Sequence, residues 1–562
     1  MSARAPKGLD IAAALIRRQW ALEWYGTPLH LMGLGGRRPE GFAAEPHDLR
    51  PTDAKRGAEI LEGRWVFSGE TMAVGAGGDP WDRPSPSKPF AESLHRMDWL
   101  GDLLATGEPG EREALRLLLD WRRVFGRWNG FSWSQAILER RVFNLACGLK
   151  RICARASDAE TALLTESLAR QARHLLHLAR EHGRAAEHAC AAAIAGLSLG
   201  GEAGLKIAEP ATARLNLMIV KAVFPDGGHA SRSPQAGLEL LFDLLTLDEA
   251  MSQRGRPVPE EVSRAMDRLA AALRTLTLPD GRLACFQGGE AGDPARIAAA
   301  KAATDLPEQP AKAVKALDWT GYQRLAAKTL TLVADVEAPA SGMFSETACA
   351  QALAIEVFAG ADRLISNSGW SPRALASQAL RRTPCGSTLS IGEGSAGAPL
   401  SGLSGFALGP RLADAPHRVE SRLHETPEGL WLDLAHDGWG GDFSLRHERL
   451  LYVDIRSDEL RGEDRLTPLP GGRRPTMLPM CVRFHLAPGV RASLARDGKS
   501  VLIQVGSKPG WWLRNDAGEV AIEGAVHFED GEGRRTAQVV LRTQVASDHG
   551  GKIRWKLAAV QP

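Results

Sequence analysis

The sequence predicts an α+β chain in two parts: stacked helical hairpins, then an antiparallel β-sandwich. Three observations predict it. Through the first 315 or so residues, apolar side chains recur at i, i+3 and i+4, the period of a helix with one buried face. After about Lys315 the period drops to two, and short segments alternate between turn signals. Between the two regimes lies an Ala/Pro-rich run, DLPEQPAKAVKALDW, with neither period.

Each part follows in order. Residues 1–54 form an N-terminal helical extension. Its opening, MSARAPKGLDIAAALIRRQWALEW, has an apolar stretch broken by Arg17 and Arg18. It lacks the long apolar region and small-residue cleavage site of an export signal, so an amphipathic helix and a cytoplasmic chain are expected. In residues 55–315, EREALRLLLDWRRVF, AETALLTESLARQARHLLHLAREHG, ATARLNLMIVKAVF, QAGLELLFDLLTLDEAMSQRG and PEEVSRAMDRLAAALRTL are helical. FGRWNG, SLGGEAG, FPDGG, RGRPVP and LPDGR separate them. Helix after helix with short breaks fits an α/α toroid or a solenoid. In residues 316–562, KTLTLVADVE, ALAIEVF, STLSI, GLWLDLAHD, RLLYVDI, KSVLIQV, EVAIEG and RTAQVVLRTQ read as strands. DG, GEG, NDAG and EDGEG turns join them, so a large antiparallel sandwich is expected.

Composition narrows the function. Of 562 residues, 44% are hydrophobic and 24% charged, which excludes a largely disordered chain. Lys+Arg total 69 against 67 Asp+Glu, too balanced for a dedicated nucleic-acid binder. No apolar run is long enough to span a membrane. The seven cysteines form no CxxC pair, so reduced thiols are expected and a zinc ribbon is not. Tryptophan outnumbers tyrosine 15 to 3. An exposed indole is a stacking platform for the apolar face of a sugar ring.

Several long blocks go further. GRWVFSGE, GGDPWDRPSPSKPFAESLHRMDWLGDLL, WRRVFGRWNGFSWSQAILERRVFNL and FPDGGHASRSPQAGLELLFDLL occur in order in the first half. GYQRLAAKTLTLVAD, ETACAQALAIEVFAGADRLISNSG, LRRTPCGSTLSI, LDLAHDGWGGDFSLRHERLLYVD and VRFHLAPGVRASLARDGKSVLI follow in the second. Over roughly residues 55–560 the chain resembles bacterial heparinase II/III-like proteins. The resemblance implies an α/α toroid, an incomplete barrel of helical hairpins, ahead of the sandwich. It also implies a polysaccharide lyase that cleaves uronic-acid glycans by β-elimination. Its partner would be an acidic polysaccharide or oligosaccharide, and relatives are often found in the cell envelope.

Elimination needs the C5 carboxylate neutralised, a base for the C5 proton and an acid for the departing O4. The resemblance assigns these to an Asn-His pair, a Tyr after the DGGH segment, and His from the sandwich. Some members hold zinc there. Counted onto this chain, the Asn-His pair falls on Gly183 and Arg184, or on His182 after a one-residue slip. The Tyr falls on Ala236, and the two sandwich His positions on Cys349 and Gly386. No cofactor and no metal are therefore expected. The remaining catalytic candidates are His229 as base, with Arg232 or Arg184 on the carboxylate. Candidates for substrate binding are His188, Asn367, Trp370, His436 and His447. Two functions stay open: a divergent lyase, or a catalytically degenerate relative that binds an acidic envelope polysaccharide without cleaving it.

Overall fold

The computed structural model describes residues 6, 8–179, 183–304, 314–373, 378–470 and 474–560. Helices run from Gly8–Gly26 to Pro294–Ala302, and the strands of the sandwich from Val314–Leu317 to Gly551–Ala559. The helical half also carries a small hairpin, Arg64–Phe67 with Glu70–Ala73, that the helical periodicity did not predict.

The toroid is organised around helix Ala185–Ser198, in which all fourteen residues are buried. It packs on Gln135–Cys153, Asp158–Leu178, Gly201–Ala222 and Pro234–Gln253. Its small side chains permit this crowding. At Gly196 any Cβ would collide with the backbone of Ala208 on the next helix. Local signals set the ends of its neighbours. Ser157 and Glu160 form a reciprocal capping box, and Ser233 caps a helix whose first residue is Pro234.

The second half is two antiparallel sheets. One has eight strands, in the order Val419–Glu425, Gly429–His436, Leu445–Asp454, Glu459–Pro468, Gly551–Ala559, Trp511–Asn515, Val501–Val505 and Val490–Leu494. The other has nine, built round Met477–Leu486 and Glu532–Ala546. Burial alternates strictly along Leu445–Asp454, so odd-numbered residues face the second sheet and even-numbered ones face out. Leu432, Leu451, Val453, Phe484 and Leu557 are among the side chains that fill the space between.

The nine-stranded sheet turns its other face to the toroid. Arg363 reaches Asp280 at 2.9 Å, and the Tyr322 hydroxyl donates to the Arg232 carbonyl at 2.5 Å. The eight-stranded sheet therefore presents its outer face away from the toroid. Among the described residues, no helix is long and apolar enough to cross a membrane.

Candidate functional site

The junction of toroid and sandwich brings His229, Ser231, Glu187, Arg184 and Glu139 together. His229 is buried, and its Nδ1 accepts from the Ser231 amide at 3.1 Å and lies 2.7 Å from the Ser231 hydroxyl. That hydroxyl in turn accepts from the Ser233 amide, so its own proton points at the imidazole. The network assigns the ring proton to Nε2, which faces Glu187 Oε1 at 3.7 Å. Burial would raise the Glu187 carboxyl, but His229 and Arg184 hold it down to about 2. His229 thus has Nδ1 engaged by Ser231, while Nε2 lies near the Glu187 carboxylate without a hydrogen bond to it.

The two arginines are also paired, Arg184 at an exposed position and Arg232 in the interior. Arg184 places two N–H groups on Oε2 of buried Glu139, at 3.0 and 2.5 Å. Arg232 is buried, and its backbone takes a positive φ of 65°. Its five donors go to the carbonyls of Thr320, Gly321, Glu337 and Ala338 and to the Asp335 carboxylate. Expected as a carboxylate neutraliser, Arg232 instead ties the toroid to the sandwich and has no donor to spare.

The sandwich loop around Gly342–Phe344 lies over the same spot. A Cβ at Gly183 would run into the Met343 carbonyl oxygen, and the Phe344 ring meets His229 edge-on, centroids 6.1 Å apart. At Gly386 a Cβ would come within 2.9 Å of the Gln351 side chain. Ala236 sits in the first turn of helix Pro234–Gln253. His182 lies outside the described residues.

The expected substrate-binding residues sit inside the fold. His188 is fully buried in the central helix of the toroid. Asn367 is buried and accepts the Ser387 amide at 2.8 Å. Trp370 is buried, with the Arg381 guanidinium 5.0 Å from its ring centre. His436 and His447 are enclosed between the sheets. His436 Nδ1 accepts from the Gly438 amide at 3.0 Å, and its Nε2 donates to His447 Nδ1 at 3.2 Å. His447 Nε2 then donates to Asp464 at 2.9 Å. Burial lowers both histidines, in His447 despite the carboxylate. Strand parity accounts for the burial: His447 shares the inward face with Leu445 and Leu451.

These residues do not fit a zinc ion. Gly386 offers no donor, and every ring nitrogen of His436 and His447 is taken. Burial pushes the Cys349 and Cys385 thiols up to about 11, so neither is a thiolate at neutral pH. Among the described residues no three donors are grouped to hold a metal.

Residues 309–556 match the model of the family described as heparinase II/III-like, C-terminal. FtsZ-localized protein C of Caulobacter vibrioides (strain NA1000 / CB15N) is 50% identical over 546 residues, covering 96% of this chain and 94% of that one. Among solved structures, heparinase III superposes with a TM-score of 0.71 at 14% identity, over 96% of this chain and 89% of its own. The chain belongs to the heparinase II/III-like family. A heparan sulfate lyase of the same fold, HepC from Pedobacter heparinus, superposes at 0.56 with 16% identity, over 96% and 88%. At these identities the structures establish the fold, a helical toroid followed by antiparallel sheets.

Sequence reasoning on this heparinase-like chain missed Glu187. The signal was present: it is the single acidic residue in AAEHACAAAIAGLS, where every neighbour is apolar or small apart from His188 and Ser198. A carboxylate buried there requires partners. They are Arg184, three residues earlier at the N-cap of the same helix, and His229, beyond the next helix.

Proposed function

We propose that this heparinase II/III-like protein binds an acidic glycan and has given up eliminative cleavage. The observation that supports this best is Gly183. The position expected to carry the catalytic Asn has no room for a side chain, because the Met343 carbonyl occupies it. The engaged donors of Arg184 and Arg232 and the buried position of His229 point the same way. Fold alone does not confer activity. The name of the Caulobacter relative adds a location, and this chain is proposed to gather where FtsZ does.

The test is a panel of uronate glycans with purified full-length protein, read by the absorbance of the unsaturated product. No product is expected from the wild type, nor from the triple variant Gly183→Asn, Arg184→His, Ala236→Tyr, because the loop at Met343 still fills the site. Product from the wild type that disappears in His229→Ala would overturn the reading and make His229 the base.

A further inference from the structure

The outer face of the eight-stranded sheet carries a row of side chains in cross-strand register. His424 pairs with Trp431, Trp431 with Tyr452, Tyr452 with Arg461, Arg461 with Lys556 and Lys556 with Arg514. All share the outward parity. With strands about 4.8 Å apart, the row runs for about 24 Å, the length of a short oligosaccharide.

One end of the row is aromatic. Trp431 is 43% exposed, and its ring lies 4.2 Å from that of Tyr452, tilted by 33°. A large exposed indole on a solvated sheet is uncommon, because its area is normally buried. The other end is basic. Six cations, Arg461, Arg465, Lys552, Arg554, Lys556 and Arg514, point outward from three adjacent strands. The same faces of those strands hold two carboxylates, Glu459 and Glu463. Glu459 is shared by Lys556 at 2.6 Å and Arg461 at 3.0 Å. Glu463 is shared by Arg465, Arg554 and Lys552 at 2.5, 2.8 and 3.3 Å. The neighbouring strand Leu445–Asp454 adds Asp454 at 3.6 Å from Arg461 and Glu448 at 3.7 Å from Arg465, so six cations face four carboxylates and the patch keeps a small positive excess.

We infer that the row from Trp431 and Tyr452 to Arg461, Lys556 and Arg514 is a binding track for a linear acidic glycan. Its ligand class rests on the function proposed above; its place, on the far side of the sandwich from the closed junction, does not. The apolar face of one sugar ring would stack on the indole. Carboxylates further along the chain would take paired N–H groups from the arginines and the charge of the lysine. Repeating sugars at roughly the strand spacing suit a row in register better than a single pocket would.

Binding of uronate oligosaccharides, polygalacturonate and heparosan fragments, is measured by quenching of tryptophan fluorescence and by calorimetry. Poly-glutamate serves as a charged polymer without sugar rings. Trp431→Ala with Tyr452→Ala, and separately Arg461→Ser with Lys556→Ser and Arg514→Ser, are expected to weaken binding roughly tenfold or more. Both sets lie on the solvent face, and unchanged thermal melting confirms that they fold. Added salt should weaken the wild type. Wild-type affinity in both sets would overturn the track. If Arg184→Ala loses binding instead, the track falls while the binding function stands. Equal affinity for poly-glutamate, or for anionic lipid vesicles, would also sink the glycan assignment. If the wild type binds none of these oligosaccharides, track and binding function fall together.

Discussion

Asp464 accepts four hydrogen bonds in a space closed to water: two from Arg449 at 2.7 and 3.1 Å, one from His447 and one from the Trp555 indole at 2.9 Å. Burial would raise its carboxyl, but Arg449 and His447 outweigh that and hold it far below the usual range. Removing the charge leaves Arg449 buried without its counter-ion. Asp464→Asn is therefore expected to cost about 3–5 kcal/mol of stability, measured by urea unfolding. Wild-type stability would mean that the arginine finds water or another acceptor. His447 shows what was legible at this scale. In LRHERLLYVD it shares parity with Leu445, Leu451 and Val453, so its inward direction was readable. Its partner was not, because Asp464 lies on the next strand and register depends on the intervening turn. The losses at Gly183, Ala236 and Gly386 were visible as bare letters. That a carbonyl and a glutamine fill two of those places is long-range packing, which no local pattern encodes.

The junction between the two halves hangs on single side chains that reach across it. Arg232 joins the turn before helix Pro234–Gln253 to the ends of strands Tyr322–Ala326 and Leu330–Asp335. Asp335 also accepts from Gln287 at 2.8 Å, so toroid and sheet share one buried carboxylate. Arg232→Met keeps the bulk but strips five donors and leaves Asp335 without its cation. The expected cost is about 3–5 kcal/mol, with one calorimetric transition splitting into two as the halves uncouple. A single transition at the wild-type temperature would show that the apolar contacts between Phe286 and Tyr322, centroids 5.2 Å apart, suffice. The elements were legible because helices of this length repeat their pattern several times. The hairpin at Trp65 was missed because four-residue strands are too short to establish a period of two.

Across the whole molecule, buried histidines set the response to acid. Burial lowers His95 and, with His30 and His177 nearby, His174 in the toroid, to about 4 and about 3. Burial lowers His485 and His527 in the sandwich, each to about 4. Burial holds each of them neutral, and each has a specific neighbour; the carbonyls that bond His485 and His527 act against burial. The Trp121 indole donates to His95 Nδ1 at 3.0 Å, and His174 Nδ1 is 3.1 Å from His30 Nε2. His485 and His527 donate to the carbonyls of Pro384 and Asn367 at 2.9 and 2.8 Å. In the unfolded chain all four would titrate near ~6.5. The unfolded state therefore binds more protons than the native state between pH 6.5 and about 4, and stability must fall as the pH drops through that window. Above pH 6.5 the contribution is complete. Near pH 5 each histidine adds a slope of about 1.4 kcal/mol per pH unit, so the four together approach about 5 kcal/mol per unit. Carboxylates such as Glu187 and Glu463, both held at about 2 against the opposing effect of burial, add to the loss only at lower pH. The protein is thus expected to lose stability well before ordinary carboxylate titration begins. Thermal melts at half-unit steps from pH 7.5 to pH 4.5 would show a plateau and then a steep fall below pH 6.5. A midpoint that stays level down to pH 5 would mean that these imidazoles gain their protons inside the native fold, and the enclosed neutral network would be wrong.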